Sequence, residues 1–197
     1  VGTRLLSGID RRALVRAGLT SLFAHSVRTG DLARVITLEV AADESAAATA
    51  LAAGVLHDFG KLALAADFGA QLASLPASAT ATAEERREAE RREFGVTHDR
   101  FGGYLLGLWG VPLSIVEAVA FHHEPSAHPG ATFTPLTAVH VANALDHSAS
   151  GADPWPVPGL DADHLARVGL PIEHPAWPGI IRELRKEDER TAHVLRR

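Results

Sequence analysis

The sequence predicts an all-α protein. Alanine and leucine dominate it, β-branched residues rarely alternate with polar ones between turns, and apolar residues recur at helical spacing between recognisable stops. From the start, Asp10 suits an N-cap, and Leu14, Leu19, Leu22, Phe23, Val27, Leu32, Val35 and Leu38 follow at helical spacing through one long or broken helix. His25 lies inside it. A second helix, Glu44 to Leu56, is rich in small residues suited to close packing. Gly60, just beyond, is expected to take the left-handed conformation that stops a helix, which puts His57 and Asp58 at that helix end. Residues 76–82 form a small, polar break, after which Thr80 or Thr82 caps the charged segment Ala83 to Glu93, read as a solvent-facing, lid-like hairpin.

Thr97 opens the next helix, with His98 in its first turn, and Phe101, Tyr104, Leu105, Leu108 and Trp109 follow before Gly110 and Pro112 end it. Leu113 to Phe121 forms another, leading into His122 and His123 ahead of the breaker Pro125. Thr134 and Pro135 are the cap and first-turn proline of a helix with Leu136, Val139, Ala142 and Leu145 on one side. His140, Asn143, Asp146 and His147 make its polar face. Residues 148–158 are rich in glycine, serine and proline, and two short helices are expected after them, Asp161 to Val168 and Pro178 to Leu195. No chemistry is assigned to that tail.

Composition excludes several function classes. With 197 residues and 46% apolar content the chain can bury a sizeable core, and it reads as a single domain. Its 19 basic and 24 acidic residues leave a net charge of -5, which argues against a general nucleic-acid or anionic-membrane surface. Trp109, Trp155 and Trp177 are far apart and no basic cluster accompanies them, so no platform for stacked bases is expected. Without cysteine there is no disulfide, no thiolate zinc site and no cysteine nucleophile, and a cytoplasmic location is the default. No apolar run approaches the roughly 18 to 20 residues that span a bilayer, and Val1 to Ile9 lacks the apolar stretch of a signal peptide. The chain lacks a glycine-rich phosphate loop and a serine nucleophile elbow. It opens without methionine and enters a helical pattern almost at once, as is expected of a piece of something larger.

Histidine must therefore carry any transition-metal chemistry. A lone histidine is usually a surface or hydrogen-bonded core group, so the argument rests on joint placement. His57 and Asp58 end one helix, His98 begins another, His122 and His123 end a third, and His25 lies within a fourth, so that helix termini can converge on one pocket, as bundle cores do when they build metal sites. Adjacent helical residues point about 100° apart, so His57 and Asp58 can serve one centre only because the helix ends there. Asp58 could then bridge two ions while His57 serves one of them. Imidazoles and a carboxylate without sulfur suit iron, manganese, zinc or nickel better than magnesium. Lys61 could steady a phosphate; without the histidines it would read as an ordinary lysine lying along a helix end.

The string GVLHDFGKLAL, Gly54 to Leu64, resembles the signature of the HD superfamily. FGVTHDRFGGYLLGLWGVPLSIVEAVAFHHEP, Phe94 to Pro125, looks like the corresponding stretch of HDOD domains, the HD-related output domains. With His25 in AHSVRTGDLA the resemblance covers Leu19 to Leu145. It implies an HD-superfamily helical bundle with a histidine and aspartate pocket at helix ends, a core over residues 19–147, a helical extension over 148–197, and a further N-terminal helical subdomain ahead of the chain. Likeness to the related HD-GYP phosphodiesterases would make His25, His57, Asp58, His98, His122 and His123 metal ligands of one or two divalent ions, and Lys61 a phosphate contact. Two departures stand out: EPSAHPGATF after the double histidine lacks the GYP element, and Asn143 occupies the position of a metal-binding aspartate. Asp146, one helical turn on, could substitute but reads more simply as a surface residue.

Two functions fit this pattern. The resemblance implies a bacterial-type signalling output domain whose pocket binds a metal or nucleotide, or is vestigial, and which works through protein partners. The alternative is a metal-dependent phosphohydrolase acting on a nucleotide or cyclic dinucleotide, with water as nucleophile, Asp58 and the ions orienting attack, and Lys61 on the phosphate. An inert helical scaffold, docking through Glu84 to Glu93, is the third reading.

Overall fold

Every regular element among the described residues is helical; the computed structural model describes residues 21–75, 82–148, 157–184 and 186. Asp10, Leu14, Leu19, the stretch Val1 to Ile9, Thr80, Trp155 and the end of the last expected helix at Leu195 lie outside them.

Helix α1, Leu22–Ala41, ends where Ala42 turns left-handed (φ 50°) and its N–H donates to the Leu38 carbonyl. Asp43 then caps α2, Glu44–Leu56, by accepting from the Ser45 and Ala46 amides. The small residues expected to allow close packing do so: a Cβ on Gly54 would lie 2.6 Å from Gly30 Cα, so α1 and α2 touch through their backbones. That contact sets His25, just over a turn before Gly30, beside His57 at the end of α2.

The chain enters α3, Phe59–Ser74, directly, with Asp58 at its N-cap position. Gly60 does not stop a helix. It lies in the first turn of α3 and is absent from the positive-φ glycines. A glycine is required there for a different reason: a Cβ would sit 1.9 Å from the His98 carbonyl oxygen, so the α3 backbone presses against the start of α5, His98–Leu108.

Between them runs α4, Ala83–Phe94, opened by a reciprocal capping box of Thr82 and Glu85 and closed by left-handed Gly95 (φ 74°). The expectation of a solvent-facing, lid-like hairpin is corrected here. One face is exposed, but Arg87, Ala89 and Glu90 are buried. Arg87 donates to both oxygens of Asp99 and to Glu124, a pairing that lets a guanidinium leave water.

Helix α6, Leu113–Phe121, leads through His122 and His123 to a 3-10 turn, Pro125–Ala127. Helix α7, Pro135–Ser148, crosses the middle of the molecule. Its expected polar face is not a surface: His140, Asn143 and Asp146 are buried along with Leu136, Val139 and Leu145, and only His147 among the residues named there is exposed. Helix α8, Ala162–Arg167, is capped by Asp161, and a last helical stretch covers residues 177–184. Leu165 and Trp177 from this tail, both 0% exposed, complete a core with Ile36, Ala53, Val119 and Leu145.

Candidate metal centre

Asp58 sits at the junction of α2 and α3, 1% exposed, and imidazole nitrogens surround its carboxylate. Oδ2 lies 3.5 Å from His57 Nε2 and 3.8 Å from His25 Nε2; Oδ1 lies 3.2 Å from His98 Nε2 and 3.8 Å from His122 Nε2. His123 Nε2 approaches His98 Nε2 at 3.2 Å. Every histidine expected to ligate thus reaches the same cluster around Asp58. The ligand atoms form two groups with Asp58 in both, namely Asp58, His98, His122 and His123 on one side and His25, His57 and Asp58 on the other; within each group they lie within 4.8 Å of one another.

The outward nitrogens are equally organised. His57 Nδ1 donates to the Gly54 carbonyl at 2.7 Å, His122 Nδ1 to the Val119 carbonyl at 2.8 Å, His98 Nδ1 to the Glu90 carboxylate at 2.7 Å, and His25 Nδ1 to Asp146 Oδ2 at 2.7 Å. An acceptor at Nδ1 fixes the neutral ring with its lone pair on Nε2. In each of these rings the lone pair is directed inward. Asp58 Oδ1 and His122 Nε2 are buried without a hydrogen-bond partner, which ordinary packing avoids and a cation between them would satisfy. The donor set, neutral imidazole with a shared carboxylate and no sulfur, fits a divalent transition metal.

The electrostatics agree. Burial pushes His57 down to about 4 and holds His122 and His123 well below the usual histidine range, so these rings stay neutral and able to ligate. Burial opposes the charge on Asp58, but Lys61, His57 and His98 outweigh it and hold the carboxyl well below its ordinary value. For His98 burial and Lys61 oppose protonation, yet the Asp58 carboxylate beside it and the hydrogen bond to Glu90 raise it. His98 is thus the ring on which a proton most readily stands in for a cation.

Lys61 Nζ lies 2.6 Å from Asp58 Oδ2 and keeps a quarter of its side chain exposed, so the lysine singled out as a phosphate contact lies against the cluster with its carboxylate as partner. Asn143 is buried with its Oδ1 unpaired. Asp146 is corrected: it is not a surface residue but 5% exposed, bonded to His25 and to Arg28 Nε at 2.6 Å. These partners and burial compete, and the partners win, bringing its carboxyl down to about 2.

Sequence reasoning missed Glu90, His147 and the tail. Glu90 was hidden among the carboxylates of a charged helix, where only its spacing of eight residues from His98 sets it apart. The His147 ring stacks on His25 at 4.7 Å. Asp161, from the tail, donates its N–H to His140 Nε2, and His140 Nδ1 donates to the His122 carbonyl, so the C-terminal segment braces the double-histidine turn.

An all-α bundle that gathers histidines around an aspartate at helix ends defines a protein of the HD class. The family model of the HDOD domain matches residues 3–125, and the chain belongs to that family. Two solved structures are similar. One is an HDOD domain protein of unknown function from Geobacter sulfurreducens, 23% identical with TM-score 0.59, covering 90% of this chain and 55% of that one. The other is the MmoQ response regulator from Methylococcus capsulatus strain Bath, 22% identical with TM-score 0.53, covering 90% of this chain and 64% of that one. The chain therefore spans little more than half of the first and under two thirds of the second. At such identities the likeness shows the fold. No curated protein matches the chain. Among the described residues no helix is long and apolar enough to cross a membrane.

Proposed function

We propose that this chain is a signal-transduction output domain, cytoplasmic and acting through protein partners, whose pocket holds one or two divalent transition-metal ions (iron, manganese, zinc or nickel). The observation that carries the metal part is the convergence of inward Nε2 lone pairs on Asp58, with Asp58 Oδ1 and His122 Nε2 left unpaired in the interior. Family membership and the response regulator among the similar structures support the signalling part. Residues 19–147 form the core of this reading and 148–197 its extension. His25, His57, Asp58, His98, His122 and His123 would hold the ions. Elemental analysis of protein purified without added metal tests it: the wild type retains metal and Asp58→Ala does not. Protein that comes out metal-free and binds none on addition would leave the histidines a structural role only.

The alternative, a phosphohydrolase for nucleotides or cyclic dinucleotides, draws on the two ligand groups that share Asp58 and on Lys61 beside them. Bound ions would supply Lewis acidity to a phosphoryl oxygen. In that reading Asp58 holds the site together, and Lys61 turns its part-exposed side chain to a phosphate oxygen. Asn143 weighs against it, since an amide is a poorer ligand than an aspartate. Hydrolysis of phosphodiesters with manganese or iron(II), absent in Asp58→Ala, would decide for it.

A further inference from the structure

His98 differs from the other inward-facing histidines in where it sits. His57 and His122 follow helical segments and donate Nδ1–H to carbonyls three residues back, Gly54 and Val119. A histidine at the end of a helix finds such a carbonyl on its own helix. His98 is the first residue of α5, and the chain three residues before it is left-handed Gly95, so the helix offers it no acceptor.

Glu90 supplies one from α4. Its carboxylate lies 2.7 and 2.9 Å from His98 Nδ1 and also accepts the His98 backbone N–H at 2.8 Å. Those are its polar contacts among the described residues, and its side chain is 6% exposed. Thr97, the N-cap residue, makes no side-chain cap bond, and its hydroxyl is buried and unpaired. Glu90 therefore does two separable things: it takes over the missing cap, and it accepts from the imidazole.

We propose that Glu90 is a positioning residue for the metal centre, fixing the proton of His98 on Nδ1 and so committing the Nε2 lone pair to an ion shared with Asp58, His122 and His123. This rests on the metal-binding reading above. A carboxylate behind a ligating histidine orients the ring and raises its donor strength, and losing such a partner typically costs about 10-fold to 100-fold in metal affinity. It also gives α4 a function that its charged sequence conceals: the helix carries a carboxylate to the back of the cluster on the same face that buries Arg87 and Ala89.

Glu90→Gln separates the two roles. The amide oxygen can still accept the His98 backbone N–H, while the NH2 group no longer enforces a proton on Nδ1. The test compares wild type, Glu90→Gln, Glu90→Ala and Glu88→Gln, an exposed control on the same helix whose partner is Arg91. Three quantities are read: melting temperature, zinc affinity by chelator competition, and the ring nitrogen shifts of His98 in metal-free protein at about pH 8. Glu90→Gln is expected to melt near the wild type, to lose Nδ1–H as the single tautomer, and to bind zinc about 10-fold to 100-fold more weakly. Glu90→Ala also melts lower, and Glu88→Gln changes nothing. Wild-type zinc affinity and an unaltered tautomer in Glu90→Gln overturn the positioning role while the pocket reading stands. A wild-type His98 already protonated at Nε2 overturns it without any variant. A wild type that binds no zinc, with Nδ1–H still in place, removes the metal-binding reading and this role with it.

Discussion

His25 Nε2 lies 3.1 Å from His57 Nε2, although each ring already donates from Nδ1, to Asp146 and to the Gly54 carbonyl. Two lone pairs at that separation repel unless a proton or a cation lies between them. On the other side of Asp58 the Nε2 atoms of His98 and His123 also approach, to 3.2 Å. On the metal-binding reading proposed above, the two ligand groups would be cation positions of unequal strength, because one group offers three imidazoles besides Asp58 and the other offers two. A zinc titration should show two steps. His25→Ala should remove the weaker step and spare the tighter one, while His123→Ala should weaken the tighter one at least about 10-fold. A single step in the wild type, or loss of both steps in His25→Ala, contradicts this order of loading.

Acid should destabilise the metal-free protein well before its carboxylates protonate. Burial holds His57 at about 4 against 6.5 in the unfolded chain, and His122 and His123 well below 6.5. Between those values the unfolded state binds more protons, so their contribution is complete above about pH 6.5 and falls away as the pH drops toward 4. His98, raised by Asp58 and Glu90 against its burial, runs the other way: its contribution is complete below 6.5 and is lost on the alkaline side. One raised ring against six lowered ones, since burial lowers His140, His147 and His164 as well, leaves a net loss in acid. His57 alone accounts for about 3 kcal/mol at full shift. Urea unfolding at pH 7.5 and at pH 5 should show a fall of at least about 2 kcal/mol, and a flat profile would mean that these rings are not held neutral.

The cluster was legible in the sequence because its members sit where helices begin and end, and caps, glycines and prolines mark those places. Leu113–Phe121 and Glu44–Leu56 have the bounds their punctuation implies. Gly60 shows the limit of such reading. Glycine after a helix signals a left-handed stop just as it signals a close approach by a distant backbone, and only the fold brings the His98 carbonyl there. Asp146 and Glu90 were illegible for another reason. Their sequence neighbours resemble solvated surface, and burial is decided by partners far along the chain, His25 for one and a ring at the start of the next helix for the other.

Gly60→Ala tests the close approach directly. The added methyl would meet the His98 carbonyl at 1.9 Å, and no rotamer change relieves a clash between Cβ and backbone. Helices α3 and α5 must separate, which moves Asp58 away from His98. Overpacking of this kind costs about 1 to 3 kcal/mol and more where the backbone cannot yield. The variant should unfold at lower urea and retain less metal than the wild type. Gly95→Ala, whose Cβ would meet nothing within 4 Å but whose φ is 74°, should destabilise through backbone strain with little effect on metal retention. If both variants lose metal equally, the α3 and α5 contact does not set the geometry of the centre.

Asp146→Asn separates charge from shape behind His25. The aspartate accepts from His25 Nδ1 and from Arg28 Nε and Nη2, and the two partners hold its charge against burial. Asparagine keeps one acceptor oxygen and loses the negative charge, so a single oxygen must serve either the ring or the guanidinium. A buried donor deprived of its partner costs about 1 to 3 kcal/mol, and the melting temperature should fall accordingly. Metal binding should respond on one side only: the step carried by His25 and His57 weakens about 10-fold or more, and the step carried by His98, His122 and His123 holds. Loss confined to stability would make Asp146 an anchor for Arg28 and α1 alone. Loss confined to the weaker metal step would show instead that its charge acts chiefly through the His25 ring.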